Sequence, residues 1–105
     1  MWFFCKRANL KPPGQRNATL DEHLVWMKQQ HESGKIILSG PSPDLQLGMY
    51  LIRAGSREEA EEIAASDPYT AKGDSSYELL QWNIRQIMGV GPFTAAELGL
   101  ADRGL

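Results

Sequence analysis

The chain has 105 residues, 11.7 kDa, and a net charge of −2 from 11 Lys and Arg against 13 Asp and Glu. That length predicts one domain with one modest core, and 42% apolar with 23% charged residues suits a folded chain rather than a disordered one. A nearly neutral balance without a basic block argues against nucleic-acid binding through phosphate contacts, and no apolar run approaches the roughly 20 residues of a membrane helix.

The opening Trp2-Phe3-Phe4-Cys5-Lys6-Arg7 is aromatic-rich and reads as a strand. Its apolar residues precede its charges, the reverse of a signal peptide. Cys5 stands alone, so no internal disulfide forms and a reducing, cytoplasmic setting is expected. Pro12-Pro13-Gly14 marks residues 9–18 as a loop. Thr19-Leu20-Asp21-Glu22 fits a capping box, which predicts a helix from Thr19 to about Ser33, closed by Gly34 in the left-handed region. A second strand is predicted over Lys35–Ser39, a turn over Gly40–Asp44, and a third strand over Gly48–Ala54. Ser56-Arg57-Glu58-Glu59 repeats the capping signature, with Ala60, Ile63 and Ala64 as a narrow apolar face, and Pro68 ends that helix. Residues 69–76 read as loop with room for one helical turn, Tyr77–Met88 as a last strand, and residues 94–98 as a short helix in a C-terminal extension.

The order β-α-β-β-α-β is the ferredoxin-like α+β arrangement, a four-stranded antiparallel sheet with both helices on one face. Alternation places Trp2 and Phe4 opposite Phe3 and Cys5, and Met49 and Leu51 opposite Tyr50 and Ile52. Both sheet faces are therefore apolar, while two helices cover one. At about 25 cal/mol per Å² the uncovered face would forfeit many kcal/mol in water. The expected solution is a homodimer with its sheets face to face.

Few groups can do chemistry. His23 falls in the helical stripe of Leu20, Leu24 and Met27, where an imidazole turned toward a sheet needs a hydrogen-bond partner. On position alone a satisfied core histidine is the plainer reading. His31 suits the negative end of its helix. Asp67 is electrostatically misplaced at the end of the second helix, which calls for a positive partner or a function. Nothing in the spacing alone brings His23 and Asp67 together. Ser39 reads as a turn residue able to donate into a pocket at a strand end, and Cys5 as buried and inert. No HxH, HExxH, CxxC, Walker or complete dinucleotide pattern occurs, so neither a metal nor a cofactor is expected.

His23-Leu24, then Gly34-Lys35-Ile36-Ile37-Leu38-Ser39-Gly40-Pro41, then Ser66-Asp67-Pro68-Tyr69 and a strand with Trp82 occur in an order that resembles the YCII-related family. The resemblance implies a dimeric α+β barrel, with residues 1–89 as the family domain and 90–105 as an extension. It implies a His23–Asp67 pair in a pocket, and it places Arg16, where relatives often carry a basic residue, with Ser39 and Tyr69 on the substrate. Members with assigned chemistry are dehydrochlorinases or lactone-processing enzymes. The expected function is a cofactor-independent lyase or isomerase acting on a cyclic or aromatic-derived metabolite. The alternative is a small-ligand-binding or interaction module without catalysis.

Overall fold

The computed structural model describes residues 1–12, 14 and 17–86. Its elements are β1 (Trp2–Asn9), α1 (Asn17–Glu32), β2 (Ile36–Pro41), β3 (Leu47–Arg53), α2 (Arg57–Ser66), α3 (Pro68–Ala71) and β4 (Ser75–Gln81). The sheet runs β2-β3-β1-β4, antiparallel throughout, so the expected ferredoxin-like α+β fold is the observed one. The family-domain boundary at residue 89 and the extension over 90–105 lie outside the described residues.

The inward positions of the central strands form the core. Phe3 and Cys5 of β1, Ile36 of β2 and Ile52 of β3 are essentially inaccessible to water, and Leu79 of β4 joins them. Ala60, Ile63 and Ala64 bring α2 down on this face, as its narrow stripe predicts. Each large buried side chain contributes about 1.5–3 kcal/mol. The second capping signature holds: Ser56 Oγ accepts from Glu59 N at 3.1 Å. Glu59 Oε2 answers to the backbone of Gly55, one residue before the cap, at 2.8 Å. Gly34 closes the first helix with φ of 73°.

Three expectations are corrected. Thr19 is not the cap of α1, which begins two residues earlier; its buried hydroxyl reaches Asp74 Oδ2 at 3.4 Å instead. The stripe that α1 buries runs through Thr19, His23 and Trp26, while Leu20 and Leu24 are 41% and 54% exposed. Trp26 was hidden in the sequence because its neighbours on that face are polar. The last strand ends at Gln81 rather than Met88. One further bond, from Trp82 N to Trp2 O at 2.9 Å, carries the pairing just past it.

A register shift between Ile36 and Leu38 gives β2 two phases. Ile36 opposes Ile52 on the covered face, Leu38 opposes Leu51 on the open face, and Ser39 opposes Tyr50 on the covered face again. A bulge of this kind flips every later side chain, and here it turns Ser39 inward. On the open face Leu38, Leu51, Phe4 and Leu80 stand in register across all four strands. Leu38 and Leu80 at the two edges are each 66% exposed, so the apolar second face inferred from alternation is present.

Candidate active site

Along β1 the inward positions pass from Phe3 and Cys5 to Arg7, a charged side chain only 7% exposed. Opposite it, Pro68 forces a break between α2 and α3, because the residue before proline is driven out of helical backbone. That residue is Asp67, with φ of −55° and ψ of 124°. It ends α2 and also caps α3, its Oδ1 accepting from Tyr69 N at 3.0 Å. The apparent misplacement of this carboxylate is thus resolved twice, by the helical turn it begins and by Arg7, whose Nε lies 3.4 Å from Oδ2.

Asp67 is fully buried. Burying a lone carboxylate costs several kcal/mol, so its partners decide whether it is tolerated. They are Arg7, the Tyr69 amide, the Tyr50 hydroxyl donating to Oδ2 at 3.4 Å, and His23 Nδ1 at 2.9 Å from Oδ1. The hydrogen bonds from Tyr69, Tyr50 and His23 contribute about 1.5–3 kcal/mol each, and with the Arg7 charge beside them they offset the burial. A carboxylate only accepts, so Nδ1 is the protonated nitrogen in this bond. His23 comes from the middle of α1, and its ring also packs 4.8 Å from the ring of Tyr69. Trp26, one turn on, donates from Nε1 to Ser66 Oγ at 2.9 Å and ties α1 to the end of α2.

His23 and Arg7 border a cavity of about 360 Å³. Tyr50, Tyr69 and Ser39 add polar groups to its wall, while Leu20, Leu24, Met27, Pro41 and Met49 make the rest apolar. With Nδ1 committed to Asp67, the nitrogen of His23 left for a ligand is Nε2. Burial pushes the Tyr50 phenol well above its ordinary range, so it remains a donor. Burial likewise raises the Cys5 thiol to about 11, and Cys5 is wholly inaccessible, as expected of an inert core cysteine. His31, in the last turn of α1, pairs with Ser39 at 2.8 Å between Nε2 and Oγ.

The structure therefore joins His23 to Asp67 and sets Tyr69 and Ser39 on the same cavity. Arg16 lies outside the described residues. Arg7, Tyr50 and Gly48 were missed as site residues. Arg7 had a signal, since it follows Phe3 and Cys5 in the inward phase of β1. Gly48 matters because a Cβ there would collide with the Arg7 guanidinium, lying 2.9 Å from both Cζ and Nε. Among the described residues no three His, Cys, Asp or Glu side chains are grouped to hold a metal ion, and no helix is long and apolar enough to cross a membrane.

Comparison with known proteins shows the family and the fold. Residues 1–83 match the YCII-related domain, and the chain belongs to that family. It is 31% identical over 64 residues to the uncharacterized protein YjpA of Bacillus subtilis (strain 168), covering 61% of this chain and 75% of that protein. Its fold is similar to 5-chloro-2-hydroxyhydroquinone dehydrochlorinase (TftG) from Burkholderia phenoliruptrix AC1100, solved in complex with 2,5-dihydroxybenzoquinone. The TM-score is 0.67 at 21% identity, over 79% of this chain and 94% of that one.

Proposed function

We propose that the protein is a small-molecule enzyme of the lyase or isomerase type, with His23 as general acid/base and Asp67 as its orienting partner. One observation carries the reading: His23 faces a cavity of about 360 Å³ while a fully buried carboxylate holds its Nδ1. Asp67 selects the tautomer in which Nε2 has the free lone pair, and it stabilises the imidazolium that forms after proton uptake. Such a base contributes about 100- to 10,000-fold in rate. In a dehydrochlorination, Nε2 takes the proton, its bonding electrons shift into the ring system, and chloride leaves with the electrons of the C–Cl bond. An isomerisation uses the same first step, with the proton returned at another carbon. Neither scheme requires a cofactor. Ser39 and Tyr69 border the substrate in this reading, and Arg16 is assigned to it from the family resemblance.

A cyclic or aromatic-derived substrate suits the apolar wall, and the dehydrochlorinase with a similar fold offers a first assay. Chloride release from 5-chloro-2-hydroxyhydroquinone is measured for the wild type, His23→Ala and Asp67→Asn. Turnover that falls at least 100-fold in His23→Ala supports the reading, and unchanged turnover in a folded variant sinks it.

A second reading rests on the cap that Asp67 supplies to α3. In it the protein binds a small ligand without transforming it, and the His23–Asp67 bond only anchors α1 to α3. His23→Ala would then lower the melting temperature and leave no chemical step to lose.

The open face is assigned to a second copy of the chain. The row Leu38, Leu51, Phe4 and Leu80 supplies a contact that spans the sheet. Sedimentation at micromolar concentration gives a species of twice 11.7 kDa in this reading, and a monomer alone would contradict it.

A further inference from the structure

We propose that Arg7 is a second ligand-contacting residue of the cavity, binding an anionic oxygen of a flat, otherwise apolar ligand through Nη2. The proposal rests on the functional reading above only in taking the same cavity as the ligand site.

A guanidinium has five N–H donors in a rigid fork. Nη1 uses its donors on Asn9 Oδ1 at 3.1 Å and Ser75 Oγ at 3.2 Å. Those acceptors are themselves fixed: Ser75 Oγ donates to Asn9 Oδ1 at 3.0 Å, and Asn9 Nδ2 donates to Leu45 O at 2.8 Å. Nε is buried and has no hydrogen-bond partner, although it lies 3.4 Å from Asp67 Oδ2. Nη2 makes no hydrogen bond to any described residue. The Cζ atom lies over the Tyr69 ring, 4.6 Å from its centroid.

A purely structural Arg–Asp pair would turn the fork onto the carboxylate and bond through two parallel N–H groups. Here Asp67 is already hydrogen-bonded by His23, Tyr69 and Tyr50, and Arg7 pairs with it in charge, through Nε at 3.4 Å, without a hydrogen bond. What remains is a pinned, almost fully buried cation with unused donors on the wall of an apolar cavity. Of the two unpaired groups only Nε is sealed from water, so Nη2 is the one a ligand can reach, and an anionic acceptor there gains a charge-assisted bond in place of water. Gly48 completes the arrangement from β3, because any larger residue would displace the guanidinium. The leucine, methionine and proline side chains of the wall then take the body of the ligand.

The test compares benzoate with benzamide, a neutral molecule of nearly the same shape, by titration followed in the amide spectrum of the labelled protein. Wild type is expected to bind benzoate at least about tenfold more tightly, as a charge-assisted contact warrants. Arg7→Met should abolish the preference. Since that variant leaves Asp67 without its cation and is at risk of unfolding, Gly48→Ala provides a second route: both charges stay, the guanidinium is pushed aside, and the preference again disappears. His23→Asn keeps an N–H toward Asp67 and should retain the preference even if proton transfer by His23 proves wrong. The proposal is overturned by a wild type that does not discriminate, or by a folded Gly48→Ala that discriminates as well as the wild type. Loss of the preference in His23→Asn alone would assign the anion to His23 and overturn it equally.

Discussion

The two ends of the covered sheet face are built from the same strands and behave as opposite materials. At one end Phe3, Ile36 and Ile52 are buried in one apolar cluster that includes Ala60, Ile63 and Ala64 of α2. At the other, two residue pairs along, Arg7, Tyr50, Asp67 and His23 are largely buried but held by hydrogen bonds and the Arg7–Asp67 ion pair. The first end tolerates loss of shape poorly and the second tolerates loss of a partner poorly. The second end borders the cavity of about 360 Å³ that His23 lines, so the apolar core and the proposed site are separated along a single strand, β1.

Substitutions can break that contrast. Phe3→Ala should lose about 3–5 kcal/mol by urea denaturation, with Phe3→Leu recovering most of it, because transfer and cavity formation dominate there. Asp67→Asn changes almost no volume, yet should lose about 3 kcal/mol because Arg7 is left buried without its counter-charge. A loss below about 1 kcal/mol would mean that the polar end is not an electrostatic unit. Trp26→Phe keeps the packing and removes the bond to Ser66, for about 1 kcal/mol. Ser56→Ala removes the α2 cap and should cost about 1 kcal/mol, with the cavity unaffected.

A smaller, pH-dependent effect belongs to Asp74, which holds the loop before α1. The hydrogen bond from Lys11 at 2.6 Å, followed by the nearby charge and the Thr19 hydroxyl, keeps its carboxyl below the ordinary range. A depressed folded-state pKa contributes stability above the unfolded value, lost as pH falls through the folded one. Asp74→Asn should therefore be less stable than wild type at pH 7, with the gap closing below about pH 4. A gap that persists unchanged in acid would contradict the assignment.

Strand and helix order was legible because breakers, caps and alternation are local signals. Gly34 and Ser56 acted where their chemistry predicts. The Thr19 box misled because its hydroxyl is used on Asp74, a partner 55 residues away that no local pattern reveals. The β2 bulge was also hidden, since Ile36-Ile37-Leu38 is apolar in either phase, and with it the inward turn of Ser39. His23 and Asp67 were each visible as anomalies, a polar group on an apolar stripe and an acid at a helix end. Their contact was not, because it depends on how α1 and the α2–α3 break lie on the sheet. Arg7 needed only its strand phase, which places it inward with Phe3 and Cys5. The apolar residues of the second sheet face were legible from period-two alternation alone.

In the proposed function Asp67 fixes His23 with its proton on Nδ1 and its lone pair on Nε2, toward the cavity. Long-range proton–nitrogen correlation spectra of the imidazole, recorded at a pH where the ring is neutral, read that tautomer without any substrate. A protonated Nδ1 and a bare Nε2 are expected for His23 in wild type, with the pattern redistributed in Asp67→Asn. A protonated Nε2 in wild type, or a pattern indifferent to Asp67→Asn, would contradict it.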